Sequence, residues 1–318
     1  MVEVGIPVYK AKETLPNALD SLVSQTYKKF FVCLSIDGDG EDYTDIIDTY
    51  RTRGLKIRVI NSKTNDGPGA ARQRVLDTTQ ASHLIYLDAD DMLMPRAVGV
   101  LYEYAKARDY DILRSSFIRE NKNIEDRFMS ADDNLITWFH GKIYKVQYLR
   151  DKHINFLPGL RVDEDAYFNA VAWNSTTKLG IMSEPTYIWR DNRSSITRKF
   201  NQKQYFIDTH MSYIHGQVEA LKYLFEINDT VQNILITNTL INIYYYYVKA
   251  KFYKCDVEEM DNDISTLKNE DWMQLWLNDG TNWVDVIENI KGGLQIDEEN
   301  IIFFDEPFNK WAARLLRR

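Results

Sequence analysis

Cysteine is almost absent: Cys33 and Cys255 are the only two in 318 residues. They lie far apart and show no CxxC spacing, which excludes a disulfide framework and a cysteine-built zinc site. A reducing, cytoplasmic setting is the expectation. The opening MVEVGIPVYK has no basic-then-apolar leader pattern. Val231–Val248 is a long stretch without a charged side chain, and its length raises the question of a membrane span. Gln232, Asn233, Thr237, Asn238, Thr239 and Asn242 interrupt it, and polar groups are costly in lipid. A buried helix with no transmembrane role is therefore expected. Positive charge is also in deficit: 39 Lys and Arg stand against 47 Asp and Glu, a net charge of −8. Such a balance gives no global pull toward nucleic acid or anionic lipid. The turn after the first apolar run reads PVYKAK rather than GxGxxG, and no GxxxxGK[ST] occurs. The dinucleotide fingerprint and the P-loop are thus missing from the places where they act.

What is present is ample apolar and aromatic bulk. The chain is 44% hydrophobic and carries 20 Tyr, 14 Phe and 7 Trp, enough for packed cores and, at this length, about two domains. Short apolar runs at Val2–Val8, Phe30–Ile36, Lys56–Ile60, Leu84–Leu87 and Ile112–Ser116 read as strands. Helical periodicity separates them, for example Leu15, Leu19, Leu22 and Val23 on one face behind Pro16. This alternation predicts βαβ units and a mostly parallel sheet flanked by helices, an α/β fold. From about residue 123 to 198 the alternation breaks down. Short strands or turns are expected near Ile143, Tyr148 and Ile188, with a helix at Asp163–Trp173. Beyond Phe200 the pattern turns helical, so residues 1–200 and 201–318 are read as an α/β domain and a mainly helical one.

The chemistry concentrates at His83–Asp91, HLIYLDADD. An apolar strand here runs directly into carboxylates, and parallel sheets bind ligands beyond the carboxyl ends of their strands. Asp88 and Asp90 offer hard oxygens that suit Mg²⁺ or Mn²⁺, ions usually completed by water and substrate phosphates. The same residues also read as the cap of the helix that follows Pro95.

Other pieces fall in a fixed order: GIPVYK, SIDGDGED and NDGPGAARQ at the first three strand ends, LDADD at the fourth, then HGKIY and VDEDAYF. In this order and spacing the chain resembles family 2 glycosyltransferases of the GT-A fold over roughly residues 2–200. The resemblance implies a metal-dependent, inverting transfer of a sugar from a nucleoside diphosphate sugar, commonly UDP-linked, to a hydroxyl of a glycan or surface polymer. It implies Asp90 as the metal ligand, with Mn²⁺ or Mg²⁺ as cofactor, and Asp88 on the ribose or sugar side. Asp91 would face the donor sugar or cap the next helix. Pro7 and Tyr9 match the first motif, and Asp37 matches the acidic residue that reads the uracil ring. Here the usual Asp-Asp-Gly-Ser is replaced by Asp37-Gly38-Asp39-Gly40, which leaves open which carboxylate reads the base. Gly67 permits close approach to a ligand at a helix start that favours anions, with Arg72 in the first turn. Glu164 and Asp165 match the family's acidic pair, Asp165 as the catalytic base and Glu164 on the donor side. Arg190 or Arg193, near a loop resembling one that closes over the donor, would clamp phosphates.

Each residue has a plainer reading: a Gly-rich turn at Asp37, a solvated helix face at Arg72 and Arg74, an acidic first turn at Glu164 and Asp165, a hydrogen-bonding core residue at His140. The Tyr244–Tyr247 run reads as helix-core packing. Trp311, Leu315 and Leu316 with Arg314, Arg317 and Arg318 make a short amphipathic tail suited to a membrane surface or a partner. The helical domain would shape the acceptor site or form a homo-oligomer contact. Two rival functions remain on sequence grounds. One is the same chemistry on a hydroxylated DNA base, which the acidic balance disfavours. The other is a non-catalytic sugar-nucleotide-binding module, which the intact Asp88, Asp90 and Asp165 disfavour.

Overall fold

Val2–Val8 (β1) is buried along almost its whole length, because it lies inside a sheet that is covered on both faces. Its one charged residue, Glu3, is 3% exposed and is satisfied by Arg58, whose Nε donates at 2.6 Å and terminal nitrogen at 2.9 Å. The computed structural model describes residues 1–120, 128–131, 137–192, 202–228, 231–252, 254–279 and 307–318. The chain divides into two compact units, Met1–Ser195 and Ile196–Arg318.

In the first unit, α1 (Leu15–Val23) buries Leu15, Leu19 and Leu22 on the face that its periodicity marked. Each such side chain contributes on the order of 2 kcal/mol of hydrophobic stabilisation. β2 (Phe30–Asp37), α2 (Thr44–Thr52), β3 (Ile57–Ser62), α3 (Pro68–Thr78) and β4 (His83–Tyr86) follow in alternation. β1 pairs in parallel with β2 and β4, and β2 with β3. After β4 come β5 (Met92–Leu93), α4 (Ala97–Ala107), β6 (Ile112–Glu120), β7 (Phe128–Ala131), β8 (Lys142–Lys145), α5 (Val146–Asp151), α6 (Glu164–Asn174) and β9 (Leu179–Trp189). The nine-stranded sheet runs β3-β2-β1-β4-β8-β6-β9-β5, with β7 beside β6.

The second half of this sheet departs from simple alternation. β8 inserts between β4 and β6 and is antiparallel to both. The parallel direction returns only between β6 and β9. Tyr148, expected in a short strand or turn, lies in α5, where Val146, Tyr148 and Leu149 are buried together. The expected short strand near Ile188 is the end of an 11-residue strand that crosses β6 and reaches β5. β4 stops at Tyr86, so Asp88–Asp91 form the link by which the chain leaves the sheet centre and rejoins it through β5.

The second unit is helical in its described residues: Gln202–Ile227, Asn233–Phe252, Glu258–Thr266, Asp271–Asn278 and Phe308–Leu316. Tyr244 and Tyr247 enter its core, as the helical spacing requires, and Tyr245 and Tyr246 are half-buried. The amphipathic tail is not a free surface. Phe308, Trp311, Leu315 and Leu316 are buried in that same core, and Arg314 donates to Asp261 and to the Tyr247 hydroxyl. No helix among the described residues is long and apolar enough to cross a membrane. Thr237 in the uncharged stretch accepts from the Trp276 indole at 3.3 Å, the fate expected of a polar group in a protein core.

Gly38 lets the β2–α2 loop lie against the β3–α3 loop. Its φ is +62°, and a Cβ there would fall 2.4 Å from the Thr64 carbonyl carbon. Gly38→Ala combines left-handed strain with a backbone clash, and should destabilise the first unit by about 2–4 kcal/mol in urea unfolding. A loss below about 0.5 kcal/mol, the range of a neutral surface change, would contradict this packing.

Candidate active site

The first three strand ends form one wall. Asp37, at the end of β2 and 2% exposed, accepts from the backbone N–H of Gly67 at 2.8 Å and of Asp66 at 3.3 Å, and from Arg74 at 2.7 Å. Its carboxylate therefore holds the start of α3, where Gly67 has φ +95°. Asp39 serves a different loop, accepting from the backbone N–H of Lys10 at 2.7 Å and from the Tyr43 hydroxyl at 2.6 Å. Asp37 is thus the inner carboxylate of the pair. Pro7 is half-buried in β1, and Tyr9 is 41% exposed just beyond that strand's end.

Arg72 does not solvate a helix face. It is 5% exposed, and its two terminal nitrogens bind carboxylates from different elements. One donates to Asp88 at 2.5 Å, and the other donates to Glu164 at the start of α6. Its guanidinium stands 4.8 Å from the Phe139 ring centroid, and the Tyr86 hydroxyl donates to its backbone carbonyl at 3.1 Å. Burial alone would lower the guanidinium pKa, but Asp88, Glu164 and Asp165 outweigh it and hold the charge.

The carboxylate link is wired to the end of β9. The Tyr187 hydroxyl donates to Asp91 at 2.6 Å and accepts from the Asp88 backbone N–H at 3.3 Å. Asp91 also accepts from the Arg190 backbone N–H at 2.8 Å, and Asp90 accepts from the Asn192 side chain at 2.9 Å. Burial, with Asp90 and Asp88 nearby, pushes the Asp91 carboxyl well above its usual range. Arg190 places its Nε 3.5 Å from Glu120, and Arg193 lies outside the described residues.

His140 stacks on Tyr187 with centroids 4.6 Å apart, and its Nε2 is 3.9 Å from Asp91. Burial lowers its pKa to about 4, so the ring is neutral at pH 7. Its Nδ1 is buried without a hydrogen-bond partner. Asp88, Asp91 and His140 each offer a ligand atom, all within 4.8 Å of one another. Two carboxylates and a neutral imidazole suit a divalent ion such as Mn²⁺ or Mg²⁺. The family resemblance assigns that role to Asp90, while His140 reads from the sequence as a hydrogen-bonding core residue. The imidazole's nearness to Asp88 and Asp91 is a tertiary fact.

Across from this link, α6 opens on three successive carboxylates. Asp163 adopts a left-handed conformation, φ 59°, before the helix. Burial and the charge of Glu164 raise its pKa to about 7. Asp165 accepts from the Ala166 backbone N–H at 2.8 Å. Burial first, then Glu164 and Asp163, push the Asp165 carboxyl well above the ordinary carboxylate range, even though the residue as a whole retains partial exposure. Lys142, 1% exposed on β8, donates to the Trp138 carbonyl; burial lowers its pKa to about 7 against the opposing influence of Asp165.

The first unit thus joins Asp88, Arg72 and Glu164 by direct contact, and Asp165 lies within their electrostatic reach. Asp37 and Gly67 join the same assembly through α3. Tyr187, Phe139, Lys142 and Asn169 were not singled out from the sequence. Lys142 lies inside HGKIY, Tyr187 in the expected strand or turn near Ile188 and Asn169 inside the expected Asp163–Trp173 helix, while Phe139 lies in no marked segment.

Residues 3–160 match the model of the family described as Glycosyl transferase family 2. The chain is 22% identical over 217 residues to the uncharacterized glycosyltransferase EpsJ of Bacillus subtilis, an alignment covering 62% of this chain and 63% of EpsJ. It is 24% identical over 206 residues to the poly(ribitol-phosphate) beta-glucosyltransferase of Bacillus spizizenii, covering 59% of this chain and 32% of that protein. The chain therefore spans less than two thirds of the length of either relative. Among solved structures, S. aureus TarS 1-349 in complex with UDP-GlcNAc superposes with a TM-score of 0.66 at 18% identity, over 84% of this chain and 80% of that one. That likeness concerns the fold: a partly parallel sheet flanked by helices, followed by further helices. With the family model, the sheet order and the carboxylate assembly in agreement, the chain belongs to glycosyl transferase family 2 and carries the GT-A fold.

Proposed function

We propose that this protein moves a sugar, with inversion, from a nucleoside diphosphate sugar to a hydroxyl of a glycan or surface polymer. A UDP-linked donor is the first choice. The observation that carries the proposal is Arg72, which ties the carboxylate link after β4 to the acidic start of α6. Donor-side and base-side groups are thereby held in one assembly. That the B. spizizenii relative is a poly(ribitol-phosphate) beta-glucosyltransferase supports a polymer acceptor, and the UDP-GlcNAc bound in TarS supports a UDP-sugar.

In this reading the start of α3, a helix end that favours anions, lies beside the donor's phosphates. Asp37 and Tyr9 frame the nucleoside, and Pro7 shapes the floor beside them. Asp88, Asp90, Asp91 and His140 are the residues that would hold a divalent ion. Such an ion would neutralise charge developing on the leaving diphosphate. Asp165 takes the proton from the acceptor hydroxyl, whose oxygen attacks the anomeric carbon as the bond to the diphosphate breaks. Glu164, neutralised by Arg72, is left unsuited to that role. The second unit, Ile196–Arg318, shapes the acceptor site or an oligomer contact.

Asp165→Asn keeps the shape and removes the basic oxygen. It should lower transfer at least 100-fold, within the usual range for a lost general base, while UDP-sugar still raises the melting temperature. Unchanged transfer would end the assignment of Asp165.

The pH profile gives a second check. The working form of Asp165 is ionised, and its pKa is raised, so activity must fall as pH drops through a value above the usual carboxylate range. A log kcat/KM profile whose acid limb sits near pH 4, the ordinary carboxylate value, would contradict the buried-base reading.

Metal dependence can be read without an acceptor. UDP-glucose or UDP-N-acetylglucosamine should stabilise the protein against heat in Mn²⁺ and much less in EDTA. Asp88→Ala and Asp90→Ala should each abolish that difference. A shift equally large in EDTA would remove the metal from the scheme.

A further inference from the structure

Asn169 is 1% exposed in the middle of α6, among the buried Ala166, Phe168, Val171 and Ala172. A carboxamide in such a place is costly unless its hydrogen bonds are made. Here they are made to its own helix and to two points outside it. Nδ2 donates to the Thr137 carbonyl at 2.7 Å and to the Asp165 carbonyl, one turn earlier, at 3.0 Å. Oδ1 accepts from the hydroxyl of the fully buried Tyr144 on β8 at 2.6 Å. A leucine would fill nearly the same volume with no polar group to satisfy, so packing alone does not account for an amide here.

The partners of this amide suggest what it does. The Asp165 carbonyl belongs to the residue assigned as base. Thr137 begins the segment that carries Phe139 beneath Arg72 and His140 against Tyr187. Arg72 links the start of α6 to the carboxylates after β4 by charge, through Glu164 and Asp88. Asn169 adds directional neutral hydrogen bonds, which neither donor nor metal can screen or compete for. We infer that Asn169 is a positioning residue that fixes the first turn of α6, and with it the Asp165 carboxylate, against the Thr137–His140 segment that packs on Arg72 and Tyr187. This inference rests on the reading of Asp165 as the base.

Positioning errors of about 1 Å can cost 100-fold in rate. The test uses the full chain with Mn²⁺ and follows UDP release from UDP-N-acetylglucosamine or UDP-glucose with water as the acceptor. Asn169→Leu should lower kcat by about 10- to 100-fold, leaving the donor KM and the donor-induced melting shift within twofold of wild type. The decisive measurement is a cycle with Asp165→Asn. If Asn169 acts through Asp165, adding Asn169→Leu to Asp165→Asn should cost less than twofold more. An additive loss, or a wild-type kcat for Asn169→Leu, would overturn the inference. Should Asn169→Leu fail to fold, Tyr144→Phe removes one anchor while leaving the amide's donors. It should lower kcat and show the same non-additivity with Asp165→Asn; a wild-type kcat would again overturn the inference. Failure of the base assignment itself is read separately, from Asp165→Asn alone.

Discussion

A guanidinium buried between two carboxylates is the constraint on which the candidate site depends. Arg72 comes from α3, Asp88 from the end of β4 and Glu164 from α6. A buried charge is tolerable only when it is paired, and removing one partner of such a group costs roughly 3–5 kcal/mol through the charge left behind. The three elements are therefore not free to drift apart. Phe139 adds an aromatic face under the cation, and the Tyr86 hydroxyl holds the backbone of the same residue. Hydrophobic packing places β4 in the sheet; the ion pairs then fix how the helix start and the acidic turn face each other.

Around this triad, negative charge exceeds positive. Asp88, Asp90 and Asp91 lie on one side and Asp163, Glu164 and Asp165 on the other, with Arg72 and Lys142 as their buried counter-charges. The pKa values of Asp91, Asp163 and Asp165 are all raised. Burial is the first cause in all three, and a neighbouring carboxylate the second. A divalent cation is the natural complement to such a surplus, and a base with raised pKa is suited to taking a proton from an alcohol near neutral pH. One electrostatic imbalance thus serves both halves of the proposed reaction. Asp91 also shows that an acidic residue in a site can be architectural. Both of its oxygens accept from the β9 end, joining the carboxylate link to the chain that leaves toward residue 193.

Much of this was legible in the residues. Period-3.6 and continuous apolar runs marked the helices and all but one of the strands of the first 120 residues, because burial on one or both faces imposes those patterns; the two-residue β5 carries no such pattern. Glycines at Gly38 and Gly67 marked positive-φ turns, where a Cβ is strained or obstructed. The carboxylates of Asp88, Asp90 and Asp91 and of Asp163 to Asp165 stood out by density, and the roles proposed for them came from the family resemblance. Less legible was the region after residue 120, where β8 and β9 have no clean alternation. β8 lies antiparallel between two strands that the chain order would have made neighbours, and a strand of four residues carries too little pattern to reveal that.

The sequence by itself determined which residue types stand at strand ends and helix starts, since covalent spacing, helical period and backbone sterics act within a few residues. Only the tertiary structure decided that Arg72 pairs with Glu164, 92 residues away, and that His140 stacks on Tyr187 beside Asp91. It likewise decided that Asp37 faces inward while Asp39 ties a loop. Pairing across such separations, and the charge state of each carboxylate, depend on how much water the packed chain leaves around each group. That quantity exists only once the sheet and its helices have closed over the site.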